Sequence, residues 1–312
     1  MVFTERDGER RKPLLIVIGP TGAGKSELAG YLAVRLNGEI VNCDSVQVYR
    51  RFNIGAAKTP GHLVDMAEPD EIFTAGEYAR RARAVLQEIA ERGRLPIVVG
   101  GTGFYLRALL QGLFAGPERD PALRQKLTGR ERRRPGSLHR ILSRLDPPSA
   151  ARIHANDVNK TLRAVEVCLN ARAPLSRIFE QGREPLKGFD VIKVGLNPPR
   201  GELYLRLERR FVQMIENGLL AEIREILSSG VSPQAKPFES LGYKQGLAVV
   251  RGQSSLDHAI ESAQMETRRY AKRQMTWFRR EPDVSWFHGF GDAPDVQEQV
   301  FAYLSTTAAG RE

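Results

Sequence analysis

The amino-acid sequence predicts an α/β fold: a parallel-sheet core carrying a helical insertion domain. Three observations support this. Short β-branched apolar runs alternate with helical periodicity through the first third of the chain. Each run ends in a glycine-rich or acidic loop, as strands do when their carboxyl ends build a site. Near Gly116 the texture changes to an arginine-rich, helix-patterned stretch with few β-branched residues. The expected organisation is 1–115 as the first part of the core, 116–190 as the insertion, and 191–312 as completion of the core with basic C-terminal helices.

The elements follow in order. Pro13-Leu14-Leu15-Ile16-Val17-Ile18 is apolar throughout and reads as a buried strand. A helix is expected from Lys25 to Leu36, closed by Asn37-Gly38. Glu39 to Cys43 forms a second strand, with Asp44-Ser45 at its carboxyl end. Thr74-Ala75-Gly76-Glu77 is a capping box, and Tyr78, Ala82, Val85, Leu86 and Ile89 recur behind it at helical spacing until Gly93 stops the helix. Leu95 to Val99 is a third strand, its proline tolerable near the start, ending in Gly100-Gly101-Thr102-Gly103. Val191 to Leu196 returns to the sheet. Helices follow over Glu202 to Asn217 and Leu219 to Ser228, each stopped by a glycine, then a basic helix from Ser254 to Arg279 and a last strand at Val284 to Phe287. The tail from Thr306 is expected to fray.

Composition narrows the function classes. The 312 residues carry a net charge of +10, the footprint of a protein that meets a polyanion. The two cysteines, Cys43 and Cys168, read as reduced thiols. The longest apolar runs are too short to span a membrane, and the charged stretch Met1 to Lys12 is no secretory signal. The five histidines show no metal-ligand spacing, so a zinc site is not expected.

Gly19-Pro20-Thr21-Gly22-Ala23-Gly24-Lys25-Ser26 matches G-x-x-x-x-G-K-[ST] in full, between a strand and a helix. Glycines let backbone N–H groups turn toward phosphate oxygens, the helix N-terminus adds positive potential, and Lys25 supplies a point charge. The Ser26 hydroxyl is placed to hold Mg2+. A nucleotide-hydrolysing enzyme would also need a carboxylate ending a later apolar strand. Here Ile97-Val98-Val99 ends in glycines and threonine. The acidic strand end is Asp44, after the second strand and early in the chain, where a carboxylate can take a proton from an amine or hydroxyl acceptor, or can cap a helix. Two basic clusters, Arg124 to Arg134 and Arg268 to Arg280, add a surface for a phosphate backbone, with Tyr270 and Trp277 beside the second. At this level a P-loop kinase of a small molecule or nucleoside, and a non-enzymatic RNA-binding module, both stay open.

Several segments then point to a family. They are Gly19-Pro20-Thr21, Asp44-Ser45-Val46-Gln47-Val48-Tyr49, Asn53-Ile54-Gly55-Ala56-Ala57-Lys58, His62-Leu63-Val64-Asp65, Val99-Gly100-Gly101-Thr102-Gly103-Phe104-Tyr105, Arg163-Ala164-Val165-Glu166-Val167, Gly242-Tyr243-Lys244, and Tyr270-Ala271-Lys272-Arg273-Gln274-Met275-Thr276-Trp277-Phe278. In kind and order the chain resembles bacterial tRNA dimethylallyltransferases, the tRNA isopentenyltransferases, from about residue 13 to 290. It departs from them in a short Thr59-Pro60-Gly61 link, in Val158-Asn159-Lys160 where the family favours Pro-Gln-Arg, and in Ser26 where threonine is commoner.

The resemblance implies a P-loop NTPase-like core and transfer of the dimethylallyl group from dimethylallyl diphosphate to N6 of the adenosine 3′ of the anticodon, with Mg2+ assisting. It implies that Gly19 to Ser26 bind diphosphate and that Asp44, Thr21, Lys25 and Arg210 are catalytic. It implies that Asp44, Ser45, Val46, Gln47, Thr102, Asn159, Lys160 and Arg163 meet tRNA, the insertion gripping the anticodon stem-loop. A cytoplasmic monomer is expected. A transferase acting on free adenylate is the nearest alternative within this chemistry.

Overall fold

The first long strand owes its place to its composition: Leu14, Leu15, Ile16 and Val17 have no exposed surface, so both faces of the strand are covered. In the computed structural model, which describes residues 4–6, 9–114, 116–180 and 182–309, this strand is β2 (Glu9–Ile18). It starts earlier than its apolar run because Thr4–Arg6 (β1) pairs antiparallel with it, Glu5 opposite Arg10. These charged residues carry no apolar alternation to announce the pairing.

The chain continues through α1 (Lys25–Arg35), β3 (Gly38–Asn42), α2 (Ala75–Glu91), β4 (Leu95–Val99) and α3 (Gly103–Gln111). The next helices are α4 (Pro121–Arg133), α5 (Ser137–Leu145), α6 (Pro147–Arg152), α7 (Val158–Ala171) and α8 (Leu175–Glu180). Then come β5 (Phe189–Asn197), α9 (Arg200–Glu216), α10 (Leu219–Ser228), α11 (Tyr243–Val250), α12 (Leu256–Phe278), β6 (Val284–His288) and α13 (Pro294–Ala309). Strands β2 to β6 form a parallel sheet in the order β3-β4-β2-β5-β6, with Leu15 level with Ile97 on one side and Ile192 on the other. The chain leaves β2 toward one edge and later returns to its opposite side. The carboxyl end of β2 is therefore a switch point, where open α/β sheets bind ligands.

Local signals work as their chemistry requires. Thr74 Oγ1 accepts a hydrogen bond from the Glu77 amide at 3.1 Å, while the Glu77 carboxylate goes to Arg80 and Arg81. The tail is helical through Ala309, with Val296, Val300 and Leu304 buried on one face against the sheet core. Fraying from Thr306 is thus not observed up to residue 309, and 310–312 lie outside the described residues, as does part of Met1 to Lys12.

The chain divides into two units, Met1–Leu110 with Leu186–Glu312, and Gln111–Pro185. The second unit has its own core of Leu127, Leu138, Leu142, Leu162, Val165 and Ile178. Two buried carboxylates organise it. Asp146 accepts from the Ser176 amide at 2.8 Å and from its hydroxyl at 2.9 Å, tying the first turn of α8 to the start of α6. Glu166, fully buried, accepts from the Asp120 amide at 2.9 Å and from Arg124 and Arg163 at 2.8 Å each. These bonds outweigh the cost of burial and hold both carboxyls below their usual range.

Candidate active site

β2 delivers the chain into Gly19 to Ser26, and the glycines allow a loop that other residues would obstruct. Gly24 sits at φ 80° before α1, and a Cβ there would come within 2.7 Å of the Asp292 amide. Gly291 donates from its amide to Ala23 O at 2.8 Å, so the segment after β6 buttresses the loop from behind. Lys25 is the first residue of α1, and its Nζ donates to Pro20 O at 2.8 Å, curling the ammonium over the loop. Burial, with the Arg210 guanidinium nearby, pushes Lys25 down to about 8, against the opposing pull of Asp44 and Glu27. The Ser26 hydroxyl has no protein partner among the described residues.

Asp44 stands just past β3. The Cys43 amide donates to Val99 O at 2.7 Å, which keeps this stretch beside β4. One carboxylate oxygen, Oδ1, accepts from the Val46 amide at 2.8 Å and the Gln47 amide at 3.3 Å. Asp44 therefore caps the next turn with one oxygen and faces the cavity around it. Thr102 fixes the neighbouring residue: its Oγ1 accepts from the Ser45 amide at 3.0 Å and donates to Ser45 Oγ at 3.3 Å.

Gln47 is buried. Its Nε2 donates to the Ala56 and Ala57 carbonyls, 3.2 Å each, and its Oε1 has no partner. The loop holding those carbonyls is pinned from outside as well. Glu222 accepts from the Asn53 and Ile54 amides at 3.0 Å each and from the Tyr243 hydroxyl at 2.5 Å, while Tyr243 accepts from the Gly55 amide at 3.1 Å.

α9 supplies the cations. Arg206 makes two parallel bonds to Asp292, 2.8 and 2.9 Å, which tie α9 to the segment behind the P-loop. Arg210 has no ion-pair partner among the described residues, and burial pushes its guanidinium below the usual range. Across from it Tyr270 of α12 is pushed up to about 12 by burial and the Asp44 charge, so its hydroxyl stays protonated at neutral pH.

Two cavities open here, of about 610 and 400 Å³. The larger contains Thr21, Gly22, Gly24, Lys25, Ser26 and Gln47, and the smaller Ser45, Val46, Lys244 and Arg273. They meet at Thr21, Asp44, Ala56, Arg210, Met214 and Tyr270. The sequence-predicted residues Asp44, Thr21, Lys25, Ser26, Ser45, Val46, Gln47 and Arg210 thus surround one connected space. Gly19, Pro20 and Ala23 shape the loop through their backbone, and Thr102 acts through Ser45.

Asn159, Lys160 and Arg163 belong to the helical unit, on α7. Asn159 and Lys160 are exposed, Lys160 paired with Asp157 at 2.6 Å. Arg163 is committed internally, to Glu166 and to Pro117 O at 2.8 Å. Trp277 lies half-buried against Gly103, with the Arg107 guanidinium 5.2 Å from its ring centre.

Gln274, Arg206 and Met214 line the site and were not picked out as site residues in the sequence. Gln274 of α12, 7% exposed, accepts from the Thr21 amide at 2.8 Å and donates to Gly101 O at 2.9 Å, joining the P-loop to the loop after β4. Its amide sits in a basic run that reads as solvated surface, and only its distant partners reveal its role.

No group of three or more histidine, cysteine or acidic side chains converges on a metal position among the described residues. A Mg2+ ion shared between substrate phosphates, water and the free Ser26 hydroxyl needs no such group, so the residues present fit that arrangement. Cys43 and Cys168 are both buried and free, and burial pushes the Cys43 thiol up to about 12.

Comparison with known proteins gives a consistent result. The IPP transferase family profile matches residues 47–281. A tRNA dimethylallyltransferase from Solibacter usitatus is 58% identical over 294 residues, covering 92% of this chain and 96% of that protein. The full-length tRNA isopentenylpyrophosphate transferase of Bacillus halodurans superposes with a TM-score of 0.70 at 33% identity, over 96% of this chain and 98% of that one. A eukaryotic dimethylallyltransferase, described as acting on tRNA, superposes with a TM-score of 0.80 at 26% identity, over 96% and 80% of the two chains.

Proposed function

The chain belongs to the IPP transferase family, and from that premise we propose that it transfers the dimethylallyl group of dimethylallyl diphosphate to N6 of the adenosine 3′ of the anticodon in tRNA. The observation that carries this reading is the shared space at Asp44: a phosphate cradle and unpaired Arg210 on one side, an acceptor-side opening on the other.

In this reaction the C1–O bond of the donor breaks, an N6–C1 bond forms, and one N6 proton is lost. Negative charge grows on the departing diphosphate. The loop amides, the buried Lys25 ammonium and the buried Arg210 guanidinium face that charge as fixed donors. When bound, Mg2+ would supply Lewis-acid stabilisation of the diphosphate, and the Ser26 hydroxyl would hold it.

Asp44 accepts the N6 proton through the oxygen not committed to the turn amides. The unpartnered Gln47 Oε1 accepts from the adenine edge, an amide being well suited to that base. Thr21, at the junction of the cavities, contacts donor and acceptor together. The base must leave its stack to reach this point, as in other enzymes that modify a base.

The helical unit grips the anticodon stem-loop, with exposed Asn159 and Lys160 as contacts. Ser45, held by Thr102, borders the entering nucleotide. The monomer is the acting unit and the cytoplasm its location. No helix among the described residues is long and apolar enough to cross a membrane.

A paired assay tests the proposal. Labelled dimethylallyl diphosphate and Mg2+ are incubated with protein and unmodified tRNA, and separately with adenosine monophosphate. Label in tRNA, lost with Asp44→Ala, is expected. Label in the mononucleotide alone indicates a free-adenylate transferase. No label, with ATP consumed in parallel, indicates a small-molecule kinase.

A further inference from the structure

The larger cavity is graded along α9. Arg206, Arg210 and Met214 follow at intervals of four residues, so they share one helix face, and all three line this cavity. The face runs from charge to thioether, the polarity order of an allylic diphosphate read from head to tail. At about 1.5 Å rise per residue, Met214 lies about 6 Å beyond Arg210 along the axis. The carbon chain of a dimethylallyl group spans about 4 Å from C1 to its far methyls, at about 1.5 Å per bond. The axial step from Arg210 to Met214 is therefore close to the length of one isoprene unit.

Met214 also stands where the larger cavity meets the smaller one, which Phe211 and Gly242 line. A Cβ placed on Gly242 would lie 3.9 Å from its sulfur and 3.7 Å from the Phe211 ring, so the thioether rests beside a position with no side chain. The facing wall, Ile54 to Ala57, is held by Glu222, Tyr243 and Gln47 through backbone bonds and cannot easily retreat. Tail length is therefore bounded by the Met214 thioether on one side and, on the other, by a wall held through backbone bonds.

We propose that Met214 sets the chain length of the prenyl donor, its thioether excluding tails longer than five carbons. This rests on the reading of the larger cavity as the dimethylallyl diphosphate site. The transferred group is unchanged in kind: a ten-carbon donor would lose diphosphate and form the same N6–C1 bond. Truncation of Met214 frees space toward Gly242 that such a tail can fill.

The test uses full-length protein, unmodified tRNA, Mg2+, and labelled dimethylallyl or geranyl diphosphate, with thermal melting run on each variant. For Met214→Ala the geranyl-to-dimethylallyl ratio of kcat/KM is expected to rise at least 100-fold, dimethylallyl transfer falling less than tenfold. Met214→Leu, close in volume, is expected to keep the wild-type ratio within threefold. Met214→Phe shortens the space and is expected to cut dimethylallyl transfer more than tenfold while inorganic diphosphate inhibits as in wild type. The ruler is overturned if Met214→Ala folds and keeps the wild-type ratio, or if wild type already uses both donors equally. Should the alanine variant not fold, undiminished dimethylallyl transfer by Met214→Phe overturns it. Wild type that transfers label from neither donor refutes the donor assignment itself, a result distinct from failure of the ruler alone.

Discussion

Replacing Gln274 tests whether the P-loop is set by its own sequence or by a distant side chain. The amide spans Thr21 N and Gly101 O with bonds of 2.8 and 2.9 Å, in a place so tight that a Cβ on Gly101 would come within 2.4 Å of its nitrogen. Gln274→Ala removes both bonds and leaves a buried carbonyl and amide to find water. A lost hydrogen bond costs about 1 kcal/mol and a stranded buried polar group about 1–3 kcal/mol. If about 2 kcal/mol of this appears as misplacement of Thr21 in the transition state, kcat/KM falls about 30-fold. Gln274→Glu keeps an acceptor for Thr21 but opposes two oxygens at Gly101, so near neutral pH it is expected to be worse than alanine. As pH falls and the buried carboxyl protonates, it regains a donor and part of the activity. The assay is label transfer to tRNA with the donor varied, from pH 5.5 to 8.5, beside tRNA affinity measured without donor. Gln274→Ala within threefold of wild type in kcat/KM, or glutamate matching alanine at every pH, would refute the reasoning.

Further predictions concern the site and the helical unit. Asp44→Asn keeps an acceptor for the Val46 and Gln47 amides, so turnover should fall about 100-fold or more with tRNA affinity nearly unchanged; Asp44→Ala should also lose about 1 kcal/mol of stability in chemical denaturation. Lys25 releases its proton at about 8 in the folded protein against an ordinary 10.5, so the unfolded chain holds more protons between those values. Its contribution to stability should therefore rise with pH across that window, while inorganic diphosphate affinity falls above about 8 and its binding takes up a proton. Calorimetry at pH 9 in two buffers checks this, and Lys25→Met should abolish the uptake. Arg163→Ala should lower thermal stability, by about 1–3 kcal/mol, because it strips one partner from buried Glu166. Lys160→Ala, on an exposed side chain, should instead leave melting unchanged and weaken tRNA binding with a shallower salt dependence.

Much of this architecture could be read from the chain because its signals are local. Buried strands declare themselves as unbroken apolar runs, and a glycine loop between strand and helix identifies the phosphate cradle. Asp44 stood out because a carboxylate ending a strand is exceptional. Arg163, expected at tRNA only through the resemblance, is bonded to Glu166, a partner three residues on that the sequence displays. α13 was legible in principle, since Val296, Val300 and Leu304 repeat at helical spacing. Gln274 was not, because its function lies in two backbone groups far away in sequence. Nor was the pinning of Asn53 to Ala57 by Glu222 and Tyr243, which depends on α10 and α11 meeting that loop.

The ties behind the phosphate loop carry a consequence for synthesis. Thr21 waits for Gln274, 253 residues later, and Ala23 for Gly291. A ribosome making this chain produces the glycine motif long before Gln274, but cannot set it until the last strand and its flanking loop have emerged. A nascent polypeptide stalled before Gln274 would carry every conspicuous letter of the motif and still lack a finished cradle. Partial products should therefore neither sequester the prenyl donor nor compete for tRNA through this site, and activity should arrive late in translation and in one step.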